Sequence, residues 1–295
     1  ERIRCSGQLK YQLISRCASQ IPNFYARCMM PSLARDAIEA VNGELRVAFE
    51  LIAGAGCSPA AVREMAWTQA MLPSALGGAS VGYSSEMCAA AYAASVLATW
   101  TTLRRTCPAL HGVDVADTGP SQLRLVTEFR QAYDELRAKR DEVGAVYASY
   151  EPQTFYTLRG GKVPRFKPES LPPAAKLKPI EALLDPATTS DTKPPSQRTL
   201  GLIVHHARWN KFYGMATERD RTQPHARTRH REMTRAIDES QPGAGAWLDL
   251  PPDGTSPTRF TTELFTIGLQ RKLGLHLSAG EHAMNALDAL GDESV

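Results

Sequence analysis

The chain has 295 residues, a formal net charge of +3, and 43% hydrophobic against 22% charged residues, ordinary values for a folded protein with one large core or two modest ones. Its longest apolar tract, Met87 to Ala98, is too short and too alanine-rich to span a bilayer, so no membrane partner is expected. The sequence opens at Glu1 with no basic leader or apolar h-region, and it reads as a fragment or processed piece of something longer.

Apolar residues at helical spacing run through most of the chain, and the expected fold is all-α. Leu9, Leu13, Ile14 and Cys17 mark a first helix ending near Pro22. Leu33, Ala37, Ile38, Val41, Leu45, Ala48, Phe49 and Ile52 mark a longer second one ending at Gly54 and Gly56. These two are expected to form an antiparallel pair. Ser58-Pro59 starts a third helix, with Val62, Met65, Ala66 and Ala70 on one face, and Pro73 stops it. The stretch Gln69-Ala70-Met71-Leu72-Pro73-Ser74-Ala75-Leu76-Gly77-Gly78-Ala79-Ser80-Val81-Gly82 then places a glycine turn, set by Gly77, Gly78 and Gly82, between two helical segments.

Ser84 and Ser85 are placed to cap an alanine-rich, close-packed helix that reaches about Arg105 and is closed by Cys107-Pro108. A further helix from about Ser121 to Tyr150 carries Leu125, Phe129, Tyr133 and Leu136 beside a charged, solvated face. Residues 1–150 therefore read as one helical region. From 151 to 196 nine prolines and a run of lysines give an exposed basic linker. Within it Arg159 to Lys167 mixes cations with Phe166, as a flexible loop or a phosphate and base contact would.

Residues 197–295 form a second, smaller helical part. Between Arg198 and Arg235 there are nine cations against three acids, a local excess expected of a surface that neutralises phosphates, although a basic helix is also often a merely solvated face. Arg208, Lys211, Arg227, Arg229, Arg231 and Arg235 are the candidate nucleic-acid contacts. Gly243, Gly245 and Trp247 follow in a small-residue turn whose ring is expected to anchor on a core. An amphipathic helix from Phe260 to Leu275 comes next.

Cysteine and histidine offer no metal site. The six cysteines, at 5, 17, 28, 57, 88 and 107, lack the close pairs that zinc requires and are expected to be reduced thiols of an intracellular protein, in nucleus or cytoplasm. His205-His206 and the pair His225 and His230 lack the spacing of an H-E-x-x-H helix.

Gly78-Ala79-Ser80-Val81-Gly82 satisfies G-x-S-x-G, the elbow that exposes a nucleophilic serine. That turn needs a preceding strand, whereas Ala60 to Ala70 has helical spacing, so a hydrolase built on Ser80 is the weaker alternative. A free-standing helical protein-interaction module is the other.

Two stretches carry a family resemblance. Gln69 to Gly82 resembles the Q-A-x-L-P-L-R-x-G-G-L-G-L signature found just after the polymerase core of LINE-type (non-LTR) retrotransposon reverse transcriptases. Gln241-Pro242-Gly243-Ala244-Gly245-Ala246-Trp247-Leu248 with Phe260 to Leu275 resembles the G-P-G-A-G-A-W-L, then F-x-x-x-L-x-x-R-L-G-L-P-L pattern of the same proteins. The likeness spans Leu9 to about Leu277 and is weakest in the linker.

The resemblance implies a helical, thumb-like region and a downstream part that bind an RNA or DNA duplex or hybrid beside an upstream palm domain. Two departures limit it. Leu287-Asp288-Ala289-Leu290-Gly291-Asp292 keeps the core of the family's D-x-L-G-D-H-A-x-x-C ending, but Glu293 stands at the histidine position and no cysteine is near, so no metal ligands are assigned. The sequence also has no Asp-Asp pair, which the family places in its F/Y-x-D-D turn to hold the catalytic divalent metals. No catalytic residue and no cofactor are therefore expected here; the metal would belong to the absent palm.

Overall fold

In the computed structural model the described residues are 6–82, 85–111, 113, 123–149, 177, 195–222, 232, 235, 239, 244, 246–249 and 261–275. Among them the fold is all-α, with no strand. No helix among the described residues is long and apolar enough to cross a membrane.

Among the described residues eight α-helices carry the architecture: α1 (Gly7–Gln12), α2 (Ile21–Cys28), α3 (Pro31–Ile52), α4 (Ala60–Ala70), α5 (Met87–Thr106), α6 (Arg124–Ser149), α7 (Gln197–Thr222) and α8 (Thr262–Leu273). The ends obey local chemistry. Ser6 and Thr261 cap α1 and α8 through side-chain oxygens that accept from Leu9 N and Leu264 N, both at 3.2 Å. Gly274, at φ +65°, ends α8 with its amide on Arg271 O and the Leu275 amide on Gln270 O.

The expected first helix is broken. A π-turn at Leu13–Cys17 and a 3-10 turn at Ala18–Gln20 separate α1 from α2. Pro22 sits in the first turn of α2 rather than ending a helix, a position where its missing N–H costs nothing. The main partner of α1 is α8 and that of α2 is α5, while α1 meets α3, the other member of the expected antiparallel pair, through the core that Tyr11 shares with Leu45 and Phe49. At α4 the N-cap is Pro59, with no side-chain cap, and at α5 it is Glu86, likewise uncapped.

The helices fall into two compact units that do not follow the order 1–150, 151–196, 197–295. One comprises Glu1–Ser19, Gly43–Gly82 and Lys211–Val295, the other Gln20–Asn42 and Tyr83–Asn210. The division interleaves because α3 and α7 each contribute to both.

In the second unit the alanine-rich α5 is buried on two sides. Its Cys88 and Ala91 meet Ala26, Ala34 and Ile38, while Tyr92, Val96 and Trp100 share a core with Val126, Phe129, Tyr133 and Leu136 of α6 and Leu200, Ile203 and Val204 of α7. Small side chains permit this close approach without empty space. Phe129 and Tyr133 stack at 5.9 Å. Leu177, from the expected linker, is buried in the same core.

In the first unit Tyr11, Phe49, Val62, Trp67, Leu248, Phe265 and Leu269 form the core. It joins α1, α4 and the C-terminal half of α3 to α8, the most distant part of the sequence.

Candidate functional site

The glycine turn lies in the first unit and is shaped by its glycines. After α4 the chain makes a 3-10 turn at Ser74–Leu76 and reverses at Gly77, φ +78°. A Cβ on Gly78 would fall 1.9 Å from the Leu72 carbonyl oxygen, so only glycine fits. The returning strand of backbone then donates Ala79 N and Val81 N to Ala70 O and Ser80 N to Leu72 O, pairing carbonyls that the end of α4 leaves open. Gly82, at φ +80°, turns the chain once more.

Ser80 takes a positive φ of 53°, and its Oγ accepts the Ser74 amide at 3.2 Å. The residue that resembles a nucleophile thus closes the turn. The element before it is the helix α4, so the strand-to-helix elbow is not formed.

Gln69 is 1% exposed and organises what surrounds this turn. Its Nε2 donates to Gly77 O at 2.9 Å and to Lys272 O at 3.2 Å. Its Oε1 accepts from Arg235 Nη1 at 2.7 Å. One amide therefore uses both donor hydrogens and its acceptor, tying the turn to the end of α8 and to Arg235.

Other bonds join the same parts: Tyr11 Oη donates to Ala79 O at 2.5 Å, Gln270 Nε2 to Gly54 O at 3.2 Å and Thr266 Oγ1 to Ile52 O at 3.1 Å. Trp247 meets Phe265 edge-on at 5.5 Å. A Cβ on Gly268 would approach the same indole within 3.1 Å. The small residue in α8 thus makes room for the tryptophan, which is anchored on the core as its sequence context suggests.

Around Gln69 lies a neutral set of three cations and three acids. Arg235 pairs with Glu232 at 2.8 Å and also donates to the Lys272 carbonyl. Arg219 contacts Glu232 at 3.3 Å and Gly274 O at 3.2 Å. Asp220 accepts the Glu232 amide at 3.0 Å. Lys272, 1% exposed, pairs with Glu239 at 2.5 Å. Burial draws the Arg235 and Lys272 pKa values down, opposed by Glu232 and Glu239 respectively. Burial without partners would be prohibitive for such charges; pairing makes it tolerable.

The expectation that Arg235 contacts phosphate is therefore corrected, since its guanidinium is buried against Glu232, the Gln69 amide and the Lys272 carbonyl. The same correction applies to Arg208 in the second unit. Arg208 is 5% exposed and bonds Glu86 at 3.2 Å, where Lys139 also arrives at 3.6 Å.

Lys211 fits the expectation better: its side chain is 63% exposed and only 3.6 Å from Glu64, a pair that solvent weakens. Arg198 is exposed as well, and Arg221 is exposed beside Glu218 at 2.9 Å. Arg227, Arg229, Arg231, Gly243 and Gly245, with the Arg159–Lys167 stretch, His225, His230 and the Leu287–Val295 ending, lie outside the described residues.

Two neighbouring α7 residues in the second unit are histidines, His206 buried and His205 half-buried. Burial and the nearby Arg208 charge bring His205 down to about 4, and burial with His205 beside it brings His206 down to about 3. Among the described residues no group of three or more His, Cys, Asp or Glu is placed to hold a metal ion.

Spacing alone had not marked Gln69, Glu232 and Lys272 as the residues that join these parts. The only prior signal was the position of Gln69 at the head of the first motif, a polar residue on the apolar side of α4. No protein-family model, no curated protein and no solved structure matches the chain.

Proposed function

We propose that this chain is a non-catalytic, nucleic-acid-binding part of a LINE-type reverse transcriptase, supporting a template-primer duplex whose polymerisation chemistry resides in an upstream palm domain. The observation that carries the reading is the convergence on Gln69. The two stretches that resemble this family lie far apart in sequence, yet their residues share one core and one hydrogen-bonded junction. Two parts of one module are expected to meet in this way.

On this reading Lys211 and Arg221 with Arg227, Arg229 and Arg231 supply positive charge to phosphates, while Arg235 and Arg208 each hold the scaffold of their own unit. Binding through phosphates releases counterions and carries no sequence information. An intracellular setting, nucleus or cytoplasm, suits the free thiols of Cys17, Cys28, Cys88 and Cys107.

The test is fluorescence anisotropy of a labelled DNA duplex and a labelled RNA–DNA hybrid at low salt, with primer extension alongside in magnesium and manganese. The reading expects binding of both without sequence preference and no extension. Absence of binding favours a protein-interaction module, and template-dependent incorporation overturns the non-catalytic assignment. Labelling of Ser80 by a fluorophosphonate would restore the hydrolase.

A further inference from the structure

The apolar stripe of α2 faces solvent. Ile21, Phe24, Tyr25 and Cys28 stand at i, i+3, i+4 and i+7, the spacing by which a surface helix normally turns one face to the core. Here these are the uncovered residues: Ile21 is 57%, Phe24 65% and Tyr25 50% exposed, and Cys28 is exposed as well. The helix packs instead through Pro22 and Ala26, the latter against Cys88 and Ala91 of α5.

An exposed apolar face marks a partner, and the chemistry around this one says which. Phe24 and Tyr25 meet edge to face, with ring centroids 5.7 Å apart and planes at 79°. Their free surfaces therefore point in different directions. Two such rings suit flat groups that turn independently of each other, as the bases of a single strand do. In a duplex the bases are stacked on one another and offer no free face along its length.

The surrounding charge has one sign. Between Gln20 and Met30 there is no acid, and Arg27 is exposed on the flank of the stripe. On that flank the Gln197 side chain donates to Asn23 Oδ1 at 2.6 Å, which brings the start of α7 alongside α2. Arg198, the next residue, is exposed, and no acid lies between Thr192 and Thr217. Arg27 and Arg198 make no ion pair among the described residues, whereas Arg35 is spent on Glu135. Phe24, Tyr25, Arg27 and Arg198 all belong to the second unit.

We propose that this face of the second unit is a stacking site for single-stranded nucleic acid, in which Phe24 and Tyr25 each take a base while Arg27 and Arg198 take flanking phosphates. It is separate from the duplex contacts assigned to Lys211 and the cations that follow it, and it depends on its own residues alone.

Fluorescence anisotropy of the whole chain tests this with three labelled probes: an oligothymidylate of about ten nucleotides, an abasic strand of the same length and charge, and a duplex of about twenty base pairs. The protein should prefer the strand with bases over the abasic one by at least about fivefold, the factor that one stacked base supplies. Phe24→Ala combined with Tyr25→Ala should remove that preference and leave duplex affinity unchanged. Both rings are at least half exposed, so the unfolding midpoint of this variant should not move. Arg27→Gln with Arg198→Gln should keep the preference for bases and reduce the slope of log K against log salt for the strand by roughly 1.4, at about 0.7 per phosphate. Equal affinity of the protein for the two strands, a preference that survives loss of both rings, or an equal loss of duplex affinity would each overturn the proposal. Binding of phosphatidylserine vesicles that the ring variant abolishes while its oligothymidylate affinity is unaltered would overturn it too, and would assign the face to an anionic lipid surface.

Discussion

Gln69 and Lys272, 203 positions apart, meet where the Gln69 side-chain amide donates to the Lys272 carbonyl at 3.2 Å. The same amide holds Gly77 O and receives Arg235. Gln69→Leu keeps the volume and removes all three bonds, leaving two buried carbonyls and an arginine donor poorly paired. It should cost roughly 3 kcal/mol or more, read from the denaturant midpoint of the whole chain. A cost below about 1 kcal/mol would mean that the junction rearranges around water.

The Trp247 ring and Gly268 form a second reciprocal pair. Trp247→Ala should cost roughly 3 kcal/mol, as large-to-small changes against a core do. Gly268→Ala should destabilise as well, because its new methyl meets the indole, and adding it to Trp247→Ala should cost little more. Additive costs would place the ring away from α8.

How much of this was readable in advance depended on the kind of information required. Helices, the glycine turn and the anchoring of Trp247 follow from local chemistry, which a sequence states directly. The fate of each cation does not. Arg235 looks like any other arginine in a string of residues, and it is the distant Gln69 and Lys272 carbonyl that make it a scaffold residue. Similarly, Glu86 lies more than a hundred positions from Arg208. The broad apolar arc of α3 was legible as a helix, but its periodicity did not reveal that Ile38 and Phe49 turn inward while Leu33 and Leu51 face out. Pro22 reads as a stop yet opens α2, because a proline both stops a helix and starts one.

His205 and His206 should give the second unit a pH dependence. Both hold folded pKa values near 4 and 3 against about 6.5 unfolded. Between those limits the unfolded chain binds more protons. Stability is then fully present above about pH 6.5 and falls as the pH drops, by up to about 1.4 kcal/mol per pH unit for each histidine. Denaturation midpoints taken between pH 7.5 and 4.5 should show this slope. His205→Gln combined with His206→Gln should flatten it, whatever the variant loses in stability at pH 7.5. An unchanged slope would place the titrating groups elsewhere.

The central claim is that cations of the 211–231 segment bind nucleic acid while Arg235 holds the fold, and the salt dependence of duplex affinity tests it most directly. Replacing Arg227, Arg229 and Arg231 together with glutamine should reduce the slope of log K against log salt by roughly 2 to 3, since each neutralised phosphate contributes about 0.9. Arg235→Gln should lower stability and leave the slope of the remaining folded protein unchanged. An unchanged slope in the triple variant, or a loss of slope in folded Arg235→Gln, would contradict the account.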